Sequence, residues 1–112
     1  MNTKAMTVKD NLRLLQLALP EAPQPLGDYV PALEVGNLLF VSGMLPIENG
    51  SAVFVGRVGQ ELSIESGRKA AQLAVVNALA VARDAVGLNR LAGEARTGCI
   101  LRAPPTFNSM RP

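Results

Sequence analysis

Histidine and tryptophan are absent from this 112-residue chain, and Cys99 is its only cysteine. These absences exclude a metal site built on His and Cys, a catalytic triad that uses histidine, and a disulfide within the chain. Any acid–base chemistry would therefore depend on Asp, Glu, Lys, Tyr or an activated water. The low cysteine content is typical of proteins in a reducing compartment, so we expect a cytoplasmic location.

Charge and aromatic content are also low. The chain has 11 Lys and Arg against 9 Asp and Glu, and its aromatic residues are one Tyr and three Phe. So small a basic excess, with so few rings for base stacking, predicts that the protein does not bind nucleic acid. The most apolar stretch, residues 70–82, contains Gln72 and Asn77 and is shorter than the roughly 20 residues that span a bilayer, so we expect no membrane segment.

The N-terminal part predicts a helix followed by a stiff connector. Thr7 and Asp10 have the spacing of a capping box. An apolar helical stripe follows at Val8, Leu12, Leu15 and Leu19. Pro20 ends the pattern, and two further prolines make the next residues extended. A chain of this length forms one core, which we divide into a helix over residues 1–19 and a domain over residues 20–112.

A turn signal at residues 36–37, Gly-Asn, predicts a first β-hairpin. It separates residues 29–35 from residues 38–42, and both stretches are rich in β-branched and aromatic types. Residues 38–41 are apolar without alternation, which is typical of a strand covered on both faces.

A second hairpin is predicted at residues 49–50. Asn-Gly at this point is the strongest hairpin signal in the chain. Residues 52–55 are apolar and β-branched or aromatic, so we expect them to form the return strand.

A long helix is predicted between Ser63, which can cap it, and Gly87, which can end it. Its apolar positions keep a 3.6-residue period at Ala71, Ala74, Val75, Ala78, Leu79, Ala82 and Val86. Because this face is mostly small, the helix should lie close against the sheet formed by the preceding strands. Beyond Gly87 the pattern weakens, and residues 99–101 have the composition of a strand.

Three features could carry chemistry but also have simpler structural interpretations. Glu61 and Glu65 could form a carboxylate pair, yet acidic residues at the start of a helix also favour its dipole. Residues 56–59 match a GxxG string that binds RNA backbone in one fold, but here they follow a strand and are better interpreted as a loop. Cys99 lies in an apolar run without a base to activate it, so we expect it to be buried.

Ser42, Gly43 and Tyr29 are the candidate binding residues. A glycine at the end of a strand lets backbone amides approach a ligand, and a serine hydroxyl can orient a carboxylate. The same pair also serves simply to turn the chain. Tyr29, the one tyrosine, could cover a pocket or could pack at the edge of the sheet. The residues alone leave both interpretations open.

Two neighbouring stretches carry a pattern found in a known family. Residues 27–29 read Gly-Asp-Tyr, and residues 36–46 read Gly-Asn-Leu-Leu-Phe-Val-Ser-Gly-Met-Leu-Pro. The combination resembles the N-terminal signature of the RidA family, also called the YjgF or endoribonuclease L-PSP family. Residues 56–59 and the helix that starts near Ser63 are similar to a common subgroup, so the resemblance covers about residues 20–91.

The resemblance implies an α/β fold like that of chorismate mutase. This fold has a mostly antiparallel sheet with helices packed on one face, and its homotrimer has clefts between subunits. The implied activity is hydrolysis of reactive enamine and imine intermediates to ketoacids and ammonia, without metal or organic cofactor. The expected partner is therefore a small iminoacid or ketoacid, and Tyr29, Ser42 and Gly43 would line the cleft that binds it.

The chain departs from the family pattern after Leu91. Residues 92–96 carry glycine and charges where the family has a hydrophobic strand. Family domains also continue further, with a second helix, closing strands and the arginine that binds the substrate carboxylate. No arginine of this chain stands in that motif, so we assign no catalytic residue and expect a C-terminally incomplete domain with impaired deaminase activity. The alternative is a non-catalytic module that binds a small ligand or a partner, and RNA cleavage is the least expected activity.

Overall fold

The computed structural model describes residues 7–24, 30–93 and 96–99. The elements are helix α1 (Val8–Leu14), strands β1 (Ala32–Val35), β2 (Leu38–Val41), β3 (Ile47–Glu48) and β4 (Ser51–Ala52), helix α2 (Ile64–Val86) and a 3-10 turn (Leu88–Arg90). β1 pairs with β2 and β3 with β4, both antiparallel, and α2 contacts β1, β2 and β3. The described residues confirm the predicted mixed α/β arrangement with antiparallel pairing.

Helix α1 starts as predicted but ends early. The Thr7 side chain accepts a hydrogen bond from the Asp10 backbone N–H (3.1 Å), and the Asp10 carboxylate accepts one from the Thr7 backbone N–H (3.1 Å). Gln16 then takes a left-handed backbone with φ of 56°, and the Leu17 N–H donates to the Leu12 carbonyl (2.9 Å). This is a Schellman ending. The prediction of a helix that continues to the first proline is therefore wrong, because the apolar stripe extends past the point where the backbone reverses.

The first hairpin forms where the sequence predicts it. A turn at residues 36–37 joins β1 to β2, and Gly36 has the positive φ (57°) that such a turn favours. In this register Leu33 lies opposite Phe40, and Val35 opposite Leu38. Directly opposed residues share a face of an antiparallel pair, so these four apolar side chains lie together. We call them the hairpin face.

The hairpin face is not covered within the described part of the chain. Its four side chains are each between 50% and 58% exposed. Ala32 and Leu39 lie on the opposite face and are half-buried, which indicates that this second face packs on α2. The prediction of a strand covered on both faces is therefore wrong for the structure described, in which α2 packs on one face only.

The second hairpin is also confirmed, but it is short. Asn49 (φ 53°) and Gly50 (φ 79°) both take left-handed backbones, as a type I′ turn requires. The ladder stops at Ala52, so the prediction of a return strand over residues 52–55 is wrong beyond Ala52. Pro46 lies directly before β3 and has no backbone N–H to donate to the return strand. This limits how far the pairing between β3 and β4 can continue.

Helix α2 has the predicted ends. The Ser63 hydroxyl oxygen accepts from the backbone N–H of Ser66 (3.0 Å), and the Gly87 N–H donates to the Arg83 carbonyl (2.8 Å). Gly87 has a φ of 82°, which a residue with a side chain adopts only with strain. Capping residues therefore predicted both boundaries correctly.

The buried face of α2 differs from the predicted face. Its buried residues are Val76, Asn77, Ala80, Val81 and Ala82. Ala71 and Val75, which the periodicity places on that face, are exposed. Because α2 has apolar residues on most of its sides, the period alone does not select an orientation. The orientation instead follows the close packing at Gly67 and the hydrogen bonds of Asn77.

Gly67 lets α2 approach the preceding loop closely. A β-carbon at Gly67 would lie 2.9 Å from Cγ2 of Val58, whose side chain is buried. Apart from Val58, the buried apolar residues of the described chain are Leu12, Val76, Ala80, Val81 and Ala82. The core is thus small and centres on the middle of α2.

Residues 96–99 contain no strand, and Cys99 is exposed, while residues 100–101 of the predicted strand lie outside the described residues. The prediction of a buried Cys99 is therefore wrong, because the segment lies in no described sheet that could cover it. Within the described ranges, no helix combines the length and the apolarity that crossing a bilayer requires.

Candidate functional site

The candidate site begins where β2 ends. The backbone N–H of Ser42 donates to the Pro31 carbonyl (2.9 Å), which extends the β1–β2 pairing by one step. The Ser42 hydroxyl donates to the Val30 carbonyl (2.8 Å). Ser42 is half-buried, and both bonds hold it against the segment that leads into β1. The local fold therefore fixes the side chain that the sequence singles out.

These bonds determine what Ser42 can offer to a ligand. A carbonyl oxygen only accepts, so the hydroxyl proton is engaged with Val30 and the two lone pairs of the hydroxyl oxygen remain. In this geometry Ser42 can accept a hydrogen bond from a water or from an N–H group. To orient a carboxylate, the hydroxyl would first have to turn away from Val30.

Gly43 supplies open backbone beside Ser42. It is exposed, and a β-carbon built on it would meet no heavy atom within 4 Å. Its backbone lies outside the left-handed region, so glycine is not required there by conformation. The absence of a side chain leaves the backbone of this loop accessible to a ligand.

Asn77 holds the loop that follows Gly43. Its side-chain Nδ2 donates to the carbonyl oxygens of Leu45 (3.0 Å) and Ile47 (2.9 Å), and the residue is only 2% exposed. Both hydrogens of one amide are therefore used to fix the two carbonyls on either side of Pro46 to helix α2. A buried amide with both donors satisfied is a rigid support for the loop.

The acidic residues near the start of α2 have local structural partners. The Glu61 carboxylate accepts from the backbone N–H of Arg57 (2.9 Å). The backbone N–H groups of Arg57 and of Glu61 itself hold the pKa of the Glu61 carboxyl below its usual value. Glu65 forms an exposed ion pair with Arg68 (3.5 Å). The Glu61 carboxylate thus stabilises the loop before α2, while Glu65 lies in the first turn of α2, where its interaction with the helix dipole stays a prediction.

Arg90 connects the 3-10 turn to the first hairpin. Its Nη2 donates to the Glu34 carboxylate, and the pair is partly exposed. Among the described residues, no cluster of three or more His, Cys, Asp or Glu side chains could hold a metal ion.

Two curated proteins resemble the chain. Protein TCP17 of Trypanosoma cruzi is 29% identical over 101 residues, which cover 89% of this chain and 63% of that protein. The 3-aminoacrylate deaminase RutC of Acinetobacter baylyi is 49% identical over 43 residues, which cover 37% of this chain and 34% of RutC. No protein-family model matches the chain.

Solved structures match the chain over about three quarters of its length. A protein of Shewanella oneidensis MR-1 described as a candidate endoribonuclease has a TM-score of 0.70 and 35% identity, covering 76% of this chain and 57% of that one. The chain belongs to the RidA family. A protein of unknown function from Agrobacterium tumefaciens has a TM-score of 0.62 and 38% identity, covering 75% of this chain and 51% of that one. The chain therefore shares the RidA fold with solved structures whose own chains extend well beyond the residues that match.

The chain spans less than two thirds of the length of each of these relatives, between 34% and 63%. Of the three residues that the RidA resemblance assigns to the cleft, Ser42 and Gly43 lie together in the loop after β2. Tyr29 lies outside the described residues. The assignment of all three to substrate binding stays a prediction.

Sequence reasoning missed the role of Asn77 in this RidA chain. In the sequence, Asn77 stands out only because it interrupts an apolar stretch. A single amide among small apolar residues of a helix is a signal for a buried hydrogen-bonding role, since such a group is rarely buried without partners. Its partners could not be named, because they are backbone carbonyls some thirty residues earlier in the chain.

Proposed function

We propose that this chain is a RidA-type deaminase that hydrolyses a small reactive imine or enamine acid to a ketoacid and ammonia. The similarity to RutC supports this proposal, because 3-aminoacrylate carries its amino group on a carbon–carbon double bond and is thus an enamine. The observation that carries it is the loop after β2, where an open glycine backbone lies beside a fixed serine acceptor.

The reaction needs water and no oxidant. The water oxygen adds to the imine carbon and a water proton moves to the nitrogen. The proton of the new hydroxyl then moves to the nitrogen and the carbon–nitrogen bond breaks, so that ammonia leaves with the electron pair of that bond and a carbonyl remains on the carbon. An enamine first takes a proton on carbon and loses one from nitrogen to become the imine.

The geometry of Ser42 suits the acceptor role in this chemistry. With its proton engaged at Val30, the hydroxyl oxygen can receive a hydrogen bond from the attacking water or from the imine N–H. The open backbone at Gly43 lets the substrate approach closely. Asn77 keeps the following loop in place, which limits the reorganisation needed when substrate binds.

The proposal includes assembly as a homotrimer with the site at a subunit interface, in the cytoplasm. The exposed hairpin face supports association, because four neighbouring apolar side chains gain free energy when another chain covers them. The single cysteine supports a reducing compartment.

The test compares Gly43→Ala with Gly93→Ala. A methyl group at either position meets no heavy atom within 4 Å, so both variants should fold like the wild type. We expect wild type and Gly93→Ala to accelerate pyruvate and ammonia release from 2-iminopropanoate, generated in the assay from alanine by an amino acid oxidase with catalase present. Gly43→Ala should lose most of this acceleration, because its methyl group occupies the approach to the backbone. A wild-type rate equal to that of buffer, from folded protein, would refute the deaminase proposal.

A non-catalytic binding module is the second candidate. The Glu61 carboxylate, whose pKa is lowered by backbone N–H groups, is engaged by its own loop, which does not suit the role of a general base. A binding module of this kind predicts that millimolar pyruvate or 2-oxobutanoate raises the thermal unfolding midpoint while imine turnover stays at background. An absence of any shift at these concentrations would count against it.

A further inference from the structure

A groove lies on elements that the candidate site does not use. It runs between α1 with its following segment and the C-terminal part of α2 with the 3-10 turn, and its volume is about 290 Å³. The lining residues are Lys9, Leu12, Arg13, Leu17, Leu19, Arg83 and Leu88. The groove is shallow and open to solvent, and its volume is just below the range of ligand-binding cavities, so it has room only for a small ligand.

Two of the lining cations lie on α1, where Arg13, in the last turn, suits the helix dipole but Lys9 does not. Lys9 and Arg13 are four residues apart on α1 and therefore lie on one helix face, where like charges destabilise a helix. Lys9 is also the second residue of α1, and a cation in the first turn opposes the helix dipole. Neither side chain pairs with a carboxylate within residues 7–24, 30–93 and 96–99. An anion in the groove would relieve both effects.

Arg83 is held in position at the opposite wall. Its Nε donates to the Asp84 carboxylate (3.0 Å), and its Nη2 donates to the Pro20 carbonyl (3.0 Å). The Asp84 carboxylate compensates the positive charge of Arg83, whereas Lys9 and Arg13 have no such partner within the described residues. The groove therefore keeps an excess of positive charge. The guanidinium retains further N–H donors, and its fixed orientation lowers the entropy that anion binding costs.

The remaining lining is apolar. Leu12 is buried, and Leu17, Leu19 and Leu88 are half-buried. The Schellman ending of α1 brings Leu17 back beside Leu12, which is the apolar contact that accompanies this motif. The groove thus combines leucine side chains with three cations along its walls.

We propose that this groove binds a small amphipathic carboxylate, with its anionic head on Lys9, Arg13 and Arg83 and its short apolar chain on the leucines. The charge excess selects the head group, and the leucines select the chain. The inference is independent of the deaminase proposal, because none of the lining residues belongs to the loop after β2.

The test is an NMR titration of the full-length protein with hexanoate, acetate and hexanamide. We expect saturable shifts of α1 and α2 backbone amides with hexanoate, and much weaker binding of acetate, which lacks the chain, and of hexanamide, which lacks the charge. Arg13→Gln and Lys9→Gln should each weaken hexanoate binding by roughly three- to tenfold. Lys69→Gln is the control, since it removes the same charge from an exposed position on α2 outside the groove.

Three results would overturn the proposal. The first is equal binding of hexanamide and hexanoate. The second is an equal effect of Arg13→Gln and Lys69→Gln. The third is a set of shifts confined to residues 42–47, which would place the ligand in the candidate deaminase site instead. Gly43→Ala should leave hexanoate binding in the groove unchanged, so the two proposals can fail separately.

Discussion

At the scale of single residues, Asn77 makes the most consequential contact of the described structure. It lies in the middle of α2 and uses both side-chain hydrogens on the loop that follows Ser42 and Gly43. An apolar residue of similar size would fill the same space, yet the Ile47 carbonyl would lose its Asn77 donor and the Leu45 carbonyl would keep only the Ile47 backbone N–H. The residue thus links the packing of the core to the geometry of the candidate site.

We expect Asn77→Leu to lower the free energy of unfolding by about 1–3 kcal/mol, because two part-buried hydrogen bonds are lost and the Ile47 carbonyl is left without its Asn77 donor. Chemical denaturation followed by circular dichroism measures this change. Gln72→Leu is the matched control, since it replaces an exposed amide on the same helix and should change stability by less than about 0.5 kcal/mol. Equal effects of the two substitutions would show that the hydrogen bonds of Asn77 contribute nothing.

Glu61 gives a prediction about pH. Hydrogen bonds to backbone N–H groups lower the pKa of its carboxyl in the folded state, so its ionised form stabilises the fold. This contribution is complete above the unfolded pKa and is lost as the pH falls through the lower, folded pKa. We therefore expect Glu61→Gln to be less stable than wild type at neutral pH, and the difference in unfolding midpoint should shrink as the pH falls below about 4.5. A difference that stays constant down to pH 2 would contradict the assigned role.

At the scale of elements, the end of α1 shows how one backbone angle stops a helix. Gln16 occupies the left-handed position of a Schellman ending, where glycine is the usual residue. We expect Gln16→Gly to raise the free energy of unfolding by up to about 1 kcal/mol, because glycine removes the steric cost of the positive φ. Thermal unfolding measures the change.

The control for this substitution is Gln24→Gly. Gln24 is an exposed residue outside the helices and strands, and its φ is not positive. Glycine there only increases the freedom of the unfolded chain, so it should leave stability unchanged or lower it slightly. A loss of stability in Gln16→Gly as large as in Gln24→Gly would show that the ending of α1 carries no strain.

Local signals predicted the element boundaries better than they predicted what the elements contact. Ser63, Gly87 and the Asn-Gly turn at residues 49–50 act within a few residues of themselves, so their meaning can be read from the sequence. The orientation of α2 depends on Val58 fitting against Gly67, and this contact joins distant residues. For the same reason Ser42 and Gly43 could be proposed from the sequence, whereas their support by Asn77 could not.

At the scale of the whole molecule, apolar surface is distributed unequally between the two sides of the first hairpin. One side packs on α2, while the hairpin face of Leu33, Val35, Leu38 and Phe40 is half exposed or more. Covering a side chain such as leucine or phenylalanine contributes about 1.5–3 kcal/mol relative to full exposure. Four of them together can therefore drive association between copies of the chain.

The last prediction concerns this association. We expect light scattering of the purified chain to give a mass near three times 11.8 kDa. Val35→Glu should shift the protein towards the monomer, because it places a charge on the hairpin face. Val75→Glu is the matched control: it makes the same change on α2, at a position exposed to a similar extent (48% against 54%). If a folded wild type is monomeric, or if Val75→Glu dissociates the assembly as fully as Val35→Glu does, the hairpin face is not the surface that joins the subunits.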